Sequence, residues 1–312
     1  MKLVTFTREG RTRIGRLEGS RITDLNYAVQ LWLKSQGKYR YREIAEAYVP
    51  PEMVGFLQGG RESMDMAERA CAYVEENPAA ASAADWKLSL QLGEVKLEAP
   101  VTTPNKIVCV GHNYREHIRE MGREIPQFPV IFAKYANTII GPQDDIPYPS
   151  VTNQLDYEAE FAFVIGKRAS KVSKADALDY VAGYTIVNDV TSRDLQRRTI
   201  QWLQGKTVDG SAPMGPYLVT KDEIEDPYRL NVELRVNGEL RQKTNTANFV
   251  FNVHDLVEFL SGFMTLEPGD VVCTGTPGGV GVAMDPPVFL QDGDVVRIDI
   301  DRLGTLENRV RR

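Results

Sequence analysis

The chain has 312 residues, 42% hydrophobic and 26% charged, the balance of a soluble globular protein with one large domain or two unequal ones. Its net charge of -6 argues against nucleic-acid binding, and no stretch approaches the ~18 apolar residues of a membrane span. Three scattered cysteines, Cys71, Cys109 and Cys273, lack C-x-x-C spacing, which excludes a disulfide framework and a cysteine zinc site and points to free thiols in a reducing, cytoplasmic compartment.

Residues 1 to about 30 read as short strands with tight turns, "KLVTFT", "RIGRLEG" and "RITDL". From Tyr27 to about Glu76 the pattern is helical, with Met66, Ala70 and Tyr73 at helical spacing in "ESMDMAERACAYVEEN". "NPAAASAADW" (77–86) reads as a linker. The expected boundary lies near Ala99, with a small α+β N-terminal domain over 1–98 and a larger domain over 99–312. From Lys106 onward short strands dominate, including "NKIVCVG", "EFAFVIG", "AGYTIVND", "LNVELRVNGEL" and "DVVRIDID". "VNGEL" carries the Asn-Gly hairpin signal. Helical pieces are expected near His117–Met121, Lys174–Asp179 and Val253–Phe263. The expected fold class is mixed α/β, predominantly β, a roll or sandwich with inserted short helices.

Four stretches could carry chemistry. In "LDYEAEFAFVIG", Glu158 and Glu160 are two apart and share one strand face. Asp189 ends a second apolar run, "YTIVND". Three carboxylates from two strand ends form a hard oxygen site suited to Mg²⁺ or Mn²⁺. A solvated strand face paired with Lys or Arg explains the E-x-E spacing equally well. In "GHNYREHIREMG", His117 and Glu120 are three apart and meet on one face of a helical turn, where a carboxylate raises the basicity of an imidazole. A surface helix yields the same spacing without function. Lys206, in "LQGKTVDGSAPMGP", suits oxyanion stabilisation if enclosed and is an ordinary surface lysine if not. "TGTPGGVG" (274–281) lacks the Lys-Ser/Thr of a phosphate loop, leaving close backbone approach to a ligand or a plain tight turn.

Taken in order, "KIVCVGHNYREHIREMG", "PVIFAKY", "LDYEAEFAFVIGKRA", "DYVAGYTIVNDVTSRDLQ", "GKTVDGSAPMGP", "LRVNGELRQ", "FMTLEPGDVVCTGTPGGVG" and "RLGTLEN" resemble the fumarylacetoacetate hydrolase family over about Lys106 to Val310. The N-terminal region looks like the accessory domain of longer bacterial members. The resemblance implies a β-roll fold, a homodimer, and a divalent metal, Mg²⁺ or Mn²⁺, held by Glu158, Glu160 and Asp189. It implies a catalytic His117–Glu120 pair on a lid segment and an active-site Lys206. It also implies substrate contacts from Arg193, Gln196, Thr276 and Tyr114. Departures cluster around the pocket: His112 stands where members vary, "FAKYAN" replaces a "FLKP" block and positions Tyr135 to reshape the pocket, and "GKTVDGSAP" replaces a "GKS-aromatic-D" block.

The implied substrates are 2-oxo acids with a second carbonyl or carboxylate two carbons along. The favoured reaction is hydrolytic C–C cleavage of an acylpyruvate or fumarylpyruvate, releasing pyruvate. Decarboxylation of oxaloacetate and isomerisation of a 2-hydroxyhepta-2,4-diene-1,7-dioate use the same enolate. A non-catalytic binding protein is the competing class, and intact ligand and dyad positions argue against it. A zinc hydrolase lacks the necessary His and Cys ligands.

Overall fold

The computed structural model describes residues 1–84 and 87–312. Glycine turns separate β1 (Lys2–Arg8), β2 (Arg11–Glu18) and β3 (Arg21–Asp24), an antiparallel meander. Five helices follow: α1 (Leu25–Ser35), α2 (Tyr41–Tyr48), α3 (Met53–Gln58), α4 (Gly60–Glu76) and α5 (Pro78–Ser82). The Asp24 carboxylate caps α1 by accepting from the Tyr27 amide. α4 buries Ala67, Ala70, Cys71 and Val74, while Met66 and Tyr73 are only partly covered. Of the expected stripe Ala70 is therefore fully buried, and Met66 packs at the margin of the core. The expected linker contains α5, with Pro78 in its first turn, and its last two residues lie outside the described ones.

Strands β4 (Ser89–Gln91) and β5 (Lys96–Glu98) return the chain to β3 and β1. The next segment holds β6 (Ile107–Gly111), α6 (Arg115–Glu120), β7 (Val130–Lys134), β8 (Ile139–Ile140), β9 (Ile146–Pro147) and β10 (Leu155–Asp156). Then come β11 (Ala159–Ile165), β12 (Val181–Asn188), β13 (Thr191–Ser192), α7 (Arg193–Gln196), α8 (Leu203–Lys206) and β14 (Ala212–Thr220). The hairpin β15 (Asn231–Val236) and β16 (Glu239–Asn245) closes through Asn237-Gly238, both at positive φ as a two-residue turn demands. The chain ends with α9 (Val253–Phe263), β17 (Val271–Cys273), β18 (Val295–Ile300) and β19 (Gly304–Arg311). The helix expected over Lys174–Asp179 is a 3-10 helix, Lys174–Tyr180.

The large sheet runs β4-β3-β2-β1-β14-β12-β11-β17-β6-β7. The N-terminal strands therefore hydrogen-bond directly into it through β1 and β14. β11 is its buried centre. Phe161, Phe163 and Ile165 join a core with β15, β18, β19 and α9. Ala162 and Val164 join the core under α1, α3 and α4. The second sheet, β16-β15-β18-β19-β9, covers the first of these faces. The result is the mixed α/β, multi-sheet architecture expected from the strand pattern. Among the described residues no helix is long and apolar enough to cross a membrane.

Candidate active site

The antiparallel pairing of β11 with β12 places Ala159 opposite Asn188 and Glu160 opposite Val187. Asp189, one residue past β12, donates its amide to the Glu158 carbonyl at 2.9 Å. The two strand ends thus converge, and one carboxylate oxygen each from Glu158, Glu160 and Asp189 lies within 4.8 Å of the others. All three side chains are buried.

Their charge environments differ. Lys206 Nζ donates to Glu158 Oε2, Asp189 Oδ2 and Thr191 Oγ1, each at 2.7 Å. Lys134 donates to Asp189 Oδ1 at 2.9 Å and Ser211 Oγ at 3.1 Å. Arg193 places Nη2 2.7 Å from Glu158 Oε1 and donates from Nε to Asp156 Oδ2 at 2.8 Å. Burial alone would raise the Glu158 pKa, but Lys206 and Arg193 outweigh it and hold the carboxyl well below its usual range. Lys206 is itself raised: desolvation opposes its charge, and Asp189 and Glu158 prevail. Glu160 meets no cation at ion-pair distance among the described residues. Its Oε2 accepts from the Gly275 amide at 2.8 Å. Burial, then Cys273, Asp189 and Glu158, push its pKa well above the usual value. A buried oxygen cluster with one carboxylate lacking a counter-charge fits a hard divalent cation, Mg²⁺ or Mn²⁺.

The dyad stands on α6. His117 Nδ1 and Glu120 Oε2 are 3.0 Å apart, and Glu120 Oε1 accepts from the Gly279 amide at 2.8 Å. Glu120 therefore fixes the imidazole and leaves its Nε2 for the cavity that His117 lines. That cavity, of about 490 Å³, is lined by the dyad's His117, by Glu158, Glu160, Arg193, Gln196, Lys206 and Thr276, and by a wall of Phe132, Trp202 and His112. Gln196 accepts from Arg193 Nη1 at 3.1 Å, and Thr276 Oγ1 accepts from Gln242 at 2.8 Å.

Two expected pocket residues are elsewhere. Tyr114 is fully buried against Phe249, ring centroids 4.9 Å apart, with its hydroxyl unpartnered. A backbone bridge to Phe249 at the start of α6 turns its ring into the aromatic core. Tyr135 is half exposed and is not among the cavity's lining residues.

Sequence reasoning also missed contributors. Lys134 ends the apolar strand β7, and that break in an apolar run was its one signal. Asp156, two residues before Glu158, grips Arg193 and is itself held by the amides of Gly281 at 2.8 Å and Val282 at 3.0 Å. The glycine-rich stretch 274–281 is a carboxylate cradle, its amides holding Glu160, Glu120 and Asp156. Gly275 and Gly279 have φ of 96° and 98°, and a Cβ on them would come within 2.7 Å of the Val110 carbonyl and 1.9 Å of the Arg241 carbonyl.

Residues 106–311 match the family model described as "Fumarylacetoacetate (FAA) hydrolase C-terminal". The chain belongs to the fumarylacetoacetate hydrolase family. Within that family it is 52% identical over 223 residues to the "Oxaloacetate tautomerase YisK" of Bacillus subtilis (strain 168), covering 70% of this chain and 74% of the relative. A fumarylacetoacetate hydrolase from Exiguobacterium antarcticum superposes with a TM-score of 0.79 at 37% identity, over 100% of this chain and 99% of that one. A maleylpyruvate hydrolase from Sphingobium sp. SYK-6, solved with manganese (II) and pyruvate, has a TM-score of 0.72 at 29% identity over 100% and 99% of the two chains.

Proposed function

We propose that this family member interconverts the enol and keto forms of a 2-oxo dicarboxylic acid of the oxaloacetate class. The observation that carries the reading is one cavity lined both by a Glu120-oriented His117 and by Glu158 and Glu160, two members of the three-carboxylate cluster. The tautomerase relative at 52% identity supports the choice of reaction.

Tautomerisation breaks the C3–H bond, forms an O–H bond at the C2 oxygen and consumes no water. His117 Nε2 accepts the C3 proton and delivers it to the C2 oxygen, or carries it from that oxygen to C3 in the enol-to-keto direction, while Glu120 stabilises the imidazolium that this creates. Glu158, Glu160 and Asp189 are the residues that would hold Mg²⁺ or Mn²⁺, and the ion, when bound, supplies positive charge that lowers the cost of an enolate. Lys206 acts here as a clamp on two of those carboxylates, because its three N–H groups are spent on Glu158, Asp189 and Thr191.

Hydrolytic cleavage of an acylpyruvate, the reaction favoured from the sequence, is the second reading. The shared fold of the maleylpyruvate hydrolase supports it. It needs His117 to activate a water instead of taking a carbon-bound proton. The test follows enol loss, pyruvate release and CO₂ release separately, with oxaloacetate and acetylpyruvate as substrates and Mn²⁺ present. Enol loss above the buffer rate is expected, with a roughly 10²–10⁴-fold fall in kcat for His117→Gln. Pyruvate release from acetylpyruvate without faster oxaloacetate tautomerisation would overturn the first reading in favour of the second.

A further inference from the structure

The wall of the cavity carries an unused set of donors. His112 stands in the left-handed region at φ 54°, costly for a residue with a Cβ. Both of its ring nitrogens are buried and without a hydrogen-bond partner. An imidazole has at least one N–H to give, and leaving it unmade is expensive. The ring is held edge-on to Trp202 at 5.3 Å and nearly parallel to His117 at 6.2 Å. Trp202 reaches this position because residue 111 is glycine: a Cβ there would come within 2.5 Å of the indole. The fold therefore fixes an unsatisfied donor beside the proposed base.

Charge at the mouth points the same way. Arg123 and Arg197 line the cavity, are exposed, and have no acidic partner among the described residues. The acids that line it, Glu158 and Glu160, belong to the carboxylate cluster. Arg193 and Lys206 are already paired with carboxylates. The mouth thus presents two uncompensated guanidinium groups, and the wall behind them holds a neutral imidazole, whose pKa is pushed down to about 4 by burial and then by Arg123 and His117.

We propose that His112, Arg123 and Arg197 form a subsite for the distal carboxylate of the substrate, selecting diacids over 2-oxo monoacids. The inference rests on the reading that the 2-oxo acid end lies at the carboxylate cluster. Guanidinium groups match carboxylate geometry, and the imidazole N–H adds a directional contact. Because Arg123 and Arg197 are exposed, the three contacts together, and not each singly, are taken to favour a diacid by about 10- to 100-fold.

The test uses lactate and malate, 2-hydroxy probes that do not tautomerise and that differ by the distal carboxylate. Both are titrated calorimetrically into the Mn²⁺-loaded protein. Wild type is expected to prefer malate by about 10-fold or more. The Arg123→Gln, Arg197→Gln double variant is expected to bring the two affinities within about twofold of each other, with binding of lactate showing that the protein is folded. His112→Leu is expected to lower the malate preference, and His112→Gln, which restores an N–H donor, to recover most of it. Equal affinities in wild type, or a preference unchanged in these variants, overturns the subsite while leaving the site reading intact. Failure of wild type to bind either probe overturns both.

Discussion

Changing Glu160 to Gln and Glu158 to Gln should have unequal consequences in the metal-free protein, although the two residues stand two apart at one strand end. Glu160 has a backbone amide for company and no cation, and its burial favours the protonated form. Gln is nearly isosteric with a protonated Glu and keeps the acceptor for Gly275, so the metal-free E160Q protein should unfold within about 1 kcal/mol of wild type. Glu158 neutralises Lys206 at 2.7 Å and Arg193 at 2.7 Å, all three of them buried. Removing its charge leaves two buried cations under-compensated, a loss of about 3–5 kcal/mol for a broken buried pair, taken at the lower end because Asp189 and Asp156 still hold them. Manganese supplies the second axis. At a concentration 100 times its dissociation constant a bound ion stabilises wild type by about 2.7 kcal/mol, and a variant whose affinity falls 100-fold keeps about 0.4. Urea unfolding of wild type, E160Q and E158Q in EDTA and in Mn²⁺ reads both quantities. Equal losses for the two variants in EDTA, or full Mn²⁺ stabilisation of E160Q, would refute the assignment of Glu160 as the carboxylate awaiting a cation.

Other perturbations separate positioning from contact. Gly279→Ala places a Cβ against the Arg241 carbonyl at a left-handed backbone position; it should cost roughly 1–3 kcal/mol and lower kcat as Glu120 loses its amide, and wild-type melting with wild-type kcat would contradict this. Tyr114→Phe deletes a buried, unpartnered hydroxyl, so stability should hold or rise by about 1 kcal/mol with KM unchanged; a tenfold rise in KM would return Tyr114 to the substrate. His112 takes a proton near 6.5 when unfolded and near 4 when folded, so the unfolded state binds more protons in that window and stability falls as pH drops from 6.5 to 4. The gap is about 3 kcal/mol in full. Partial exposure of the ring reduces it to about 1 kcal/mol, and a His112→Leu variant that keeps the wild-type slope of stability against pH would contradict the assignment.

The parts of the site that could be read from the chain are those set by short-range periodicity. A two-residue repeat put Glu158 and Glu160 on one side of a strand, and a three-residue spacing put His117 beside Glu120. Asn237-Gly238 announced its hairpin for the same local reason. On α4 only Ala70 of the expected stripe is fully buried, and the rest of the buried face, Ser63, Ala67, Cys71 and Val74, includes small side chains that carry little hydrophobic signal. Tyr114 sits in the core because its direction is set by Phe249, far along the chain.

What spacing could not carry is the difference between the two glutamates. Glu158 draws its cations from α7 and α8, with Lys206 48 residues away. Glu160, one step further into the sheet, meets an amide 115 residues away. That amide has no letter of its own in the sequence, and neither do those of Gly279, Gly281 and Val282. A glycine-rich loop without a phosphate-loop lysine therefore looked like a turn or a ligand contact. Its donors instead satisfy the carboxylates of Glu160, Glu120 and Asp156, so the loop shapes the site by holding its acids in place.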